Sequence, residues 1–212
     1  MERIRYTQRK TVVPIRIGEV KWINWRHELK IAVDIDGVLA DQVGAALRVI
    51  EKEYGLKYHK SEVNRAHWIF SGREIWSEIA RLLADPEYTL SVPLIEGSQE
   101  GIEQLGDHNV CVVTARRSNA EEATKQWLNM HFPCLTEYYR ARTGAKHTIP
   151  SDILIDDLDM NIVKFVKSDP NRRGILFVQP WSINGTDIEN CSDKVYYCLE
   201  WKSVVRAIDE IG

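Results

Sequence analysis

The sequence predicts an α/β fold, with a Rossmann-like parallel sheet and a small helical cap inserted after the first strand. Apolar runs of strand length alternate with amphipathic runs of helix length, which is typical of a parallel sheet covered on both faces. Several of the apolar runs end in polar residues, as strands do where they open onto a ligand site. One interval, residues 42–93, breaks the alternation because its helical patterns have no strong strand between them.

The domain organisation follows from that break. Residues 29–41 and 94–212 are predicted to form the α/β core, and residues 42–93 the helical cap. Residues 1–28 form an N-terminal extension. Within the extension, Ile15–Trp22 alternates with period two around a Gly-Glu pair, which predicts a hairpin.

The individual elements are predicted from apolar periodicity and from turn and cap residues. The expected strands are Leu29–Ile35, Val110–Thr114, Ile153–Ile155, Ile175–Val178 and a weaker one at Lys194–Tyr197. The expected core helices are Gly97–Leu105, Asn119–Met130, Met160–Lys167 and Trp201–Ile211. The expected cap helices are Val43–Tyr54 and Ile75–Leu83.

Composition excludes several classes of protein. The net charge of −3, from 28 basic and 31 acidic residues, gives no overall field for nucleic acid or an anionic membrane. No run approaches the roughly 20 apolar residues of a spanning helix, and the N-terminus lacks the apolar region of a secretory signal. We therefore expect a cytoplasmic protein with neither nucleic acid nor membrane as a partner; homo-oligomerisation stays open. The cysteines show no zinc-site spacing and are expected to be reduced and mostly in the core: Cys111, Cys134, Cys191 and Cys198.

The stretch IAVDIDGVLAD places two carboxylates, Asp34 and Asp36, at the end of a buried strand. An ionised carboxylate is expensive to bury without a partner, so these side chains need a cation, hydrogen-bond donors or exposure at a site. Gly37 follows at once and permits the sharp turn that brings main chain close to a ligand. The pattern indicates a functional strand end.

Polar residues end two further predicted strands. Thr114 closes CVVTARRS, Asp156 and Asp157 follow the strand of ILIDDLD, and Lys146 lies on the connection before that strand. Because parallel strands end at one edge of the sheet, we expect these side chains to converge with Asp34 and Asp36. Clustered carboxylates repel one another unless a hard cation joins them, and oxygen ligands suit Mg²⁺. The sequence therefore predicts a magnesium site.

A divalent cation, a lysine and a hydroxyl suit the charged oxygens of a phosphoryl group. A carboxylate can then serve as the nucleophile, through an aspartyl-phosphate, while a second one protonates the leaving oxygen and later deprotonates water. The two carboxylates of DID are the candidates for these roles.

Four segments, taken in order, resemble the motifs of the haloacid-dehalogenase-like phosphatase superfamily. They are DIDGVLAD at Asp34–Asp41, VVTAR around Thr114, Lys146, and ILIDD at Ile153–Asp157. Within the superfamily, the layout most resembles the 5'(3')-deoxyribonucleotidase family, because of the helical segment directly after the first motif, the GAKHTIPSDILIDD spacing, and the later ILFVQPW segment.

The resemblance implies roles for these residues. Asp34 would be the nucleophile and Asp36 the general acid and base, while Thr114 and Lys146 would hold the phosphoryl group. Substrate-binding candidates around the second motif are Ala115 and Arg116; Arg116 could contact substrate or pair with an acid on the cap. The implied Mg²⁺ ligands are the Asp34 side chain, the Asp36 main-chain carbonyl and one or both of Asp156 and Asp157. The carboxylate of Asp36 favours a phosphatase, since the superfamily's dehalogenases lack it.

The expected activity is thus hydrolysis of a small phosphorylated metabolite, with a (deoxy)nucleoside monophosphate the favoured class. A sugar phosphate or another small phosphoester is the enzymatic alternative, and a non-catalytic binding or regulatory protein on the same scaffold is the alternative from another class. Three cap aromatics form a candidate platform for stacking a nucleobase: Trp68, Phe70 and Trp76.

Overall fold

The computed structural model describes residues 28–65 and 67–212. The hairpin predicted at Ile15–Trp22 lies outside the described residues. The strands are β1 Lys30–Val33, β2 Ile69–Phe70, β3 Arg73–Glu74, β4 Asn109–Thr114, β5 Glu137–Arg140, β6 Ile153–Asp156, β7 Arg173–Phe177 and β8 Val195–Cys198. Six of them form one parallel sheet in the order β5-β4-β1-β6-β7-β8, and β2 pairs with β3 in a separate antiparallel hairpin. The predicted α/β fold with a parallel sheet is confirmed.

The α-helices agree closely with the predicted positions. They are α1 Gln42–Tyr54, α2 Ile75–Leu82, α3 Pro86–Ser91, α4 Ser98–Gln104, α5 Glu121–His131, α6 Asp159–Ser168 and α7 Trp201–Ile211. A short 3₁₀ turn, Ser118–Ala120, precedes α5 and accounts for the earlier start expected there. The sequence missed α3, which is short and begins at a proline after the N-cap Asp85.

Strand β1 lies inside the sheet, between β4 and β6, and its last three residues, Ile31, Ala32 and Val33, are apolar and completely buried. Ile31 is opposite Val110 of β4 on one side and Ile153 of β6 on the other. The three strands therefore end at nearly the same level. Side chains that follow their carboxyl ends must lie at one edge of the sheet.

Helices cover both faces of the sheet, as the alternating pattern predicts. On one face, Ile31 and Val33 belong to a large apolar cluster that includes residues of α1, α4, α5 and α7. On the other, Ala32 and Leu154 pack with α6 through residues such as Phe165. This arrangement leaves the strand ends as the open part of the sheet.

Strand β5 and the β2–β3 hairpin were not predicted. Strand β5 reads EYYR, with charged residues at both ends and only partial burial, so it lacks the apolar run that identified the central strands. The hairpin has only two residues in each strand, and its turn places Ser71 and Gly72 at positive φ. Short and partly exposed strands give little hydrophobic signal.

The inserted segment, residues 42–93, contains α1, α2, α3 and the hairpin, and its two ends are joined by backbone hydrogen bonds. The Asp41 N–H donates to the Pro93 carbonyl over 2.8 Å, and the Ile95 N–H donates to the Leu39 carbonyl over 2.8 Å. The chain therefore leaves and re-enters the core at one place, directly beside the end of β1.

Two further expectations concern cysteines and membranes. All four cysteines are free, with Cys111, Cys191 and Cys198 buried and Cys134 exposed, which agrees with the expected core role. Among the helices of residues 28–65 and 67–212, none is both long and apolar enough to cross a bilayer.

Helix α4 packs on α7 through Gly101, where an added Cβ would lie 2.3 Å from Cε3 of the Trp201 ring. We expect Gly101→Ala to lower the free energy of unfolding by about 1–3 kcal/mol, because overpacking outweighs the roughly 1 kcal/mol by which alanine favours a helix. Urea unfolding measures the change. Gln104→Ala, at an exposed position of the same helix, is the control and should change stability by no more than about 0.5 kcal/mol. An unchanged or raised stability of Gly101→Ala would contradict the packing.

Candidate active site

The carboxyl ends of β1, β4 and β6 open onto a cavity of about 430 Å³. Both the core and the inserted segment line it, and the lining includes Asp34, Asp36, Lys146 and Asp157 from the core and Trp76, Ile79 and Leu83 from the inserted segment. The cavity thus joins a charged end to an apolar one. Its size is within the usual range of small-molecule sites.

Lys146 lies between two carboxylates at the charged end. Its Nζ is 2.7 Å from Asp34 Oδ2 and 2.7 Å from Asp156 Oδ2, and the side chain is 2% exposed. Burial by itself lowers the pKa of a lysine, but the charges of Asp156 and Asp34 more than offset it and raise the pKa of Lys146. The lysine is a fixed buried cation.

Asp156 is held completely by its neighbours. In addition to Lys146, its Oδ1 accepts hydrogen bonds from the Leu158 N–H over 2.9 Å and from the Asn161 Nδ2 over 3.0 Å. The same Asn161 amide also reaches Oδ2 over 3.0 Å. Both oxygens of Asp156 therefore already have donors, and its side chain positions Lys146.

Asp34, Asp156 and Asp157 each offer an oxygen within 4.8 Å of the others. Burial, with the charges of Asp156 and Asp36, raises the pKa of Asp34 to about 7 despite Lys146. Burial and the charges of Asp156 and Asp34 likewise raise the pKa of Asp157 well above its usual range, against the hydrogen bond from Trp181. The single positive charge of Lys146 does not neutralise three carboxylates. A divalent cation, which takes oxygen ligands, would neutralise the remaining negative charge.

Asp157 is fixed from two sides. Trp181 Nε1 donates to its Oδ2 over 2.6 Å, and Gly37, at φ +79°, is so near that an added Cβ would lie 2.2 Å from the same oxygen. Gln179 Nε2 in turn donates to the Gly37 carbonyl over 2.8 Å. The glycine that the sequence associated with a sharp turn is therefore also required by the close approach of Asp157.

Asp36 is paired with Arg116. The guanidinium contacts both carboxylate oxygens, with Nη2 2.6 Å from Oδ1 and Nε 3.0 Å from Oδ2. Arg116 also donates through Nη1 to Thr124 Oγ1 over 3.2 Å and is buried. The sequence left open whether Arg116 contacts substrate or pairs with an acid of the cap; the acid that it contacts in the structure is Asp36, which belongs to the core loop after β1. That loop and the end of β4 are adjacent only in the folded sheet.

The structure brings together most of the predicted residues, but Thr114 lies behind the cavity. Its side chain is fully buried, and its Oγ1 accepts the Arg116 N–H over 3.1 Å. Ala115 and Arg116 line the cavity in its place, with Lys146. The hydroxyl thus shapes the turn after β4.

Of the three proposed stacking aromatics, Trp76 alone lines the cavity. Its ring makes an edge contact with Trp181, with centroids 5.9 Å apart. Trp68 and Phe70 are buried in the apolar core and stack on each other at 6.0 Å. The platform predicted from all three rings is therefore wrong for two of them, which their burial assigns to packing.

Comparison with known proteins now decides the family. The family described as 5' nucleotidase, deoxy (pyrimidine), cytosolic type C protein matches residues 28–199. The chain belongs to this family. A Staphylococcus epidermidis protein, provisionally assigned as a 5'(3')-deoxyribonucleotidase, is 25% identical over 166 residues, which are 77% of this chain and 90% of that protein. A Staphylococcus aureus protein with the same provisional assignment is 24% identical over 179 residues, 82% of this chain and 92% of that protein.

Solved structures support the same fold. A haloacid dehalogenase family hydrolase from Deinococcus radiodurans, with bound phosphate and sodium, has a TM-score of 0.59 at 14% identity and covers 87% of this chain and 96% of its own. A haloacid dehalogenase-like hydrolase from Streptococcus pneumoniae has a TM-score of 0.54 at 15% identity, covering 85% and 98%. With the family match, the chain is a phosphatase of the haloacid-dehalogenase-like superfamily related to deoxyribonucleotidases.

Some residues at the site of this nucleotidase-family chain were missed from the sequence. Asn161 holds Asp156 from the first turns of α6, and Trp181 holds Asp157 from the segment after β7. The ILFVQPW segment, which contains Trp181, indicated a family resemblance but not this contact. A polar residue on a helix that begins beside an acidic pair is the signal that could have revealed Asn161.

The raised pKa of Asp34 predicts a pH dependence of stability in the presence of a chelator. Its folded-state pKa of about 7 lies above the ordinary 3.8, so the folded state binds the proton more tightly than the unfolded state. The stabilisation from this group is complete below about pH 4 and is lost as pH rises through about 7. We therefore expect the free energy of unfolding of the wild type, relative to Asp34→Asn, to fall across that window in urea unfolding experiments. Asp193→Asn, at an exposed position, is the control: it keeps Asp34, so its free energy of unfolding should follow that of the wild type across the window. Parallel curves for wild type and Asp34→Asn would contradict the prediction.

Proposed function

We propose that the protein is a Mg²⁺-dependent phosphomonoester hydrolase that acts through an aspartyl-phosphate, with (deoxy)nucleoside monophosphates as substrates. The observation that carries the proposal is the buried cluster of Asp34, Asp156, Asp157 and Lys146 at the end of a cavity of about 430 Å³. A buried excess of carboxylates over cations is expensive for a fold that has no use for it. Chemistry on a charged phosphoryl group supplies that use.

The donor set fits a hard divalent cation. We assign Asp34 and Asp157 as the side chains that would hold it, together with the Asp36 main-chain carbonyl. Of the acidic pair, Asp156 is the less available carboxylate, because it accepts hydrogen bonds from the Leu158 N–H, Asn161 Nδ2 and Lys146 Nζ, whereas Asp157 accepts one from Trp181 Nε1. These are oxygen ligands of the kind that Mg²⁺ takes. When bound, Mg²⁺ would neutralise the carboxylates and the phosphoryl oxygens.

In the proposed reaction, an Asp34 carboxylate oxygen attacks phosphorus, and the bond from phosphorus to the ester oxygen breaks. The leaving oxygen takes a proton from Asp36. A water molecule then loses a proton to Asp36 and attacks the aspartyl-phosphate, which releases inorganic phosphate and restores Asp34. Lys146 beside Asp34 stabilises the negative charge of the phosphoryl oxygens.

Arg116 connects substrate binding to the position of Asp36. In the described structure it donates three hydrogen bonds to the Asp36 carboxylate, two from Nε and one from Nη2. For proton transfer, Asp36 has to leave the guanidinium and turn toward the leaving oxygen. A phosphate that enters the cavity offers Arg116 a replacement partner with matching bidentate geometry.

The nucleotide preference rests on the family and on the cavity. We propose that the inserted segment acts as a cap, and that Trp76 provides an aromatic edge or face for a nucleobase, beside the apolar Ile79 and Leu83. The relatives assigned as deoxyribonucleotidases agree with this choice. A cytoplasmic location stays a prediction from the sequence, and the oligomeric state stays open.

Phosphate release from deoxynucleoside monophosphates, ribonucleoside monophosphates and sugar phosphates tests the proposal. We expect turnover with Mg²⁺, its loss with chelator, and a decrease of at least about 1000-fold in kcat for Asp34→Asn, since the nucleophile is removed. The exposed Asp193→Asn should stay within about twofold of the wild type. If Asp34→Asn keeps the wild-type rate, the aspartyl-phosphate route is excluded; if sugar phosphates are the best substrates, the nucleotide preference is excluded.

Mg²⁺ binding should release protons near neutral pH. The pKa of Asp34 is about 7 and that of Asp157 is also raised in the metal-free protein, and a cation displaces the protons that these groups hold. Calorimetric titration of Mg²⁺ in buffers of different ionisation enthalpy measures the number released, and the affinity should fall as pH decreases below about 7. Asp34→Asn should release fewer protons. Heats that do not depend on the buffer would contradict this prediction.

A further inference from the structure

Gln42 has no role in the proposed chemistry, yet it is a buried polar side chain at the cavity. It is the first residue of α1 and borders the same cavity as Asp34 and Asp36. The residue is 1% exposed, and neither its Oε1 nor its Nε2 has a hydrogen-bond partner among the described residues. Buried amides without partners are rare because both the donor and the acceptor lose water.

The backbone next to Gln42 is held in place by contacts of Asp41, so the Gln42 side chain extends from a rigid segment. Asp41 caps α1 by accepting the Gly44 N–H, and its carboxylate is 2.7 Å from Lys60 Nζ. The Asp41 N–H is bonded to Pro93. A site on a helix that is tied at its start holds a ligand more precisely than one on a free loop.

A second unsatisfied group lies nearby. The Tyr88 hydroxyl of α3 is buried and has no hydrogen-bond partner within the described part of the chain, and it interacts electrostatically with Asp36, Arg116 and Asp41. Two elements of the inserted segment thus each carry a buried polar group, close to the catalytic carboxylates, that no described residue hydrogen-bonds. Packing in the apolar core does not explain why a polar group, the Gln42 amide or the Tyr88 hydroxyl, is present at either position.

We propose that Gln42 is a specificity-determining residue that binds a neutral donor-acceptor group of the substrate, either a sugar hydroxyl or the amide-like edge of a nucleobase. A carboxamide offers one acceptor and an NH₂ donor, so it matches a partner that has both. A charged partner is disfavoured, because the amide carries no charge to balance it in a buried place.

This inference rests on the proposed function, since it names what the substrate carries beyond its phosphate. A packing role is the competing explanation. The two explanations predict different effects of substitution. Replacing a residue that only packs changes kcat/KM for all substrates alike, whereas replacing one that binds a substrate group changes kcat/KM only for substrates that possess that group.

The test compares kcat/KM of the wild type and Gln42→Leu, which keeps the approximate volume of the side chain and removes both polar atoms. The substrates are ribo- and deoxyribonucleoside 5'-monophosphates, 2-deoxyribose 5-phosphate and 4-nitrophenyl phosphate. We expect a loss of about 10- to 100-fold for substrates that carry the group. For 4-nitrophenyl phosphate, which has neither a sugar nor a base, we expect a change of no more than about twofold.

The pattern of loss identifies the group. A loss confined to ribonucleotides assigns Gln42 to the 2'-hydroxyl, a loss shared with 2-deoxyribose 5-phosphate assigns it to another sugar hydroxyl, and a loss that follows the base assigns it to the base edge. Equal changes for every substrate, including 4-nitrophenyl phosphate, or no change at all, would overturn the inference.

Failure of the proposed function has a different signature. In that case the wild type releases phosphate from none of these esters. Calorimetric binding of the same nucleotides to the wild type and Gln42→Leu then decides the inference independently: weaker binding by the variant supports it, and equal or absent binding by both overturns it.

Discussion

The contact of Lys146 with Asp34 and Asp156 is the interaction on which the site depends. Three carboxylates within 4.8 Å would repel one another strongly in a buried place. The positive charge of the lysine reduces that repulsion. Hydrogen bonds from Asn161 and the Leu158 N–H fix Asp156, and Asp156 in turn positions the lysine. The remaining negative charge is the basis of our proposal that a cation and a phosphoryl group bind at this cluster.

Trp181 joins that cluster to the inserted segment. Its indole N–H holds Asp157, its ring is met edge-on by Trp76, and Lys60 lies 5.5 Å from its ring centroid. Lys60 also pairs with Asp41 at the start of α1. A movement of the inserted segment would therefore disturb contacts that orient Asp157. The buried Trp181 side chain thus contacts both Trp76, which lines the cavity, and Asp157, which we propose as a ligand of the cation.

The central strands and the amphipathic helices were predictable because burial on both faces leaves an apolar run or a clear period in the chain. Strand β5 was not, since an edge strand such as EYYR needs few apolar residues. The convergence of Asp34, Lys146 and the Asp156-Asp157 pair was also predictable, because parallel strands end at one edge of a sheet. Arg116 was placed among the candidates, but its partner was not found, since the sheet brings together segments that are about 80 residues apart.

The sequence by itself determined the fold class, the superfamily and the residue types at the strand ends, because these depend on periodicity and on short local motifs. Tertiary structure alone decided how the charges are distributed among them. It committed Asp156 to Lys146 and Asn161, joined Asp157 to Trp181 and Asp36 to Arg116, and left the Gln42 amide without a hydrogen-bond partner among residues 28–65 and 67–212. The reason is physical: hydrogen bonds and ion pairs depend on distances of about 3 Å between side chains remote in sequence, and such distances are fixed only when the sheet and the inserted segment have packed.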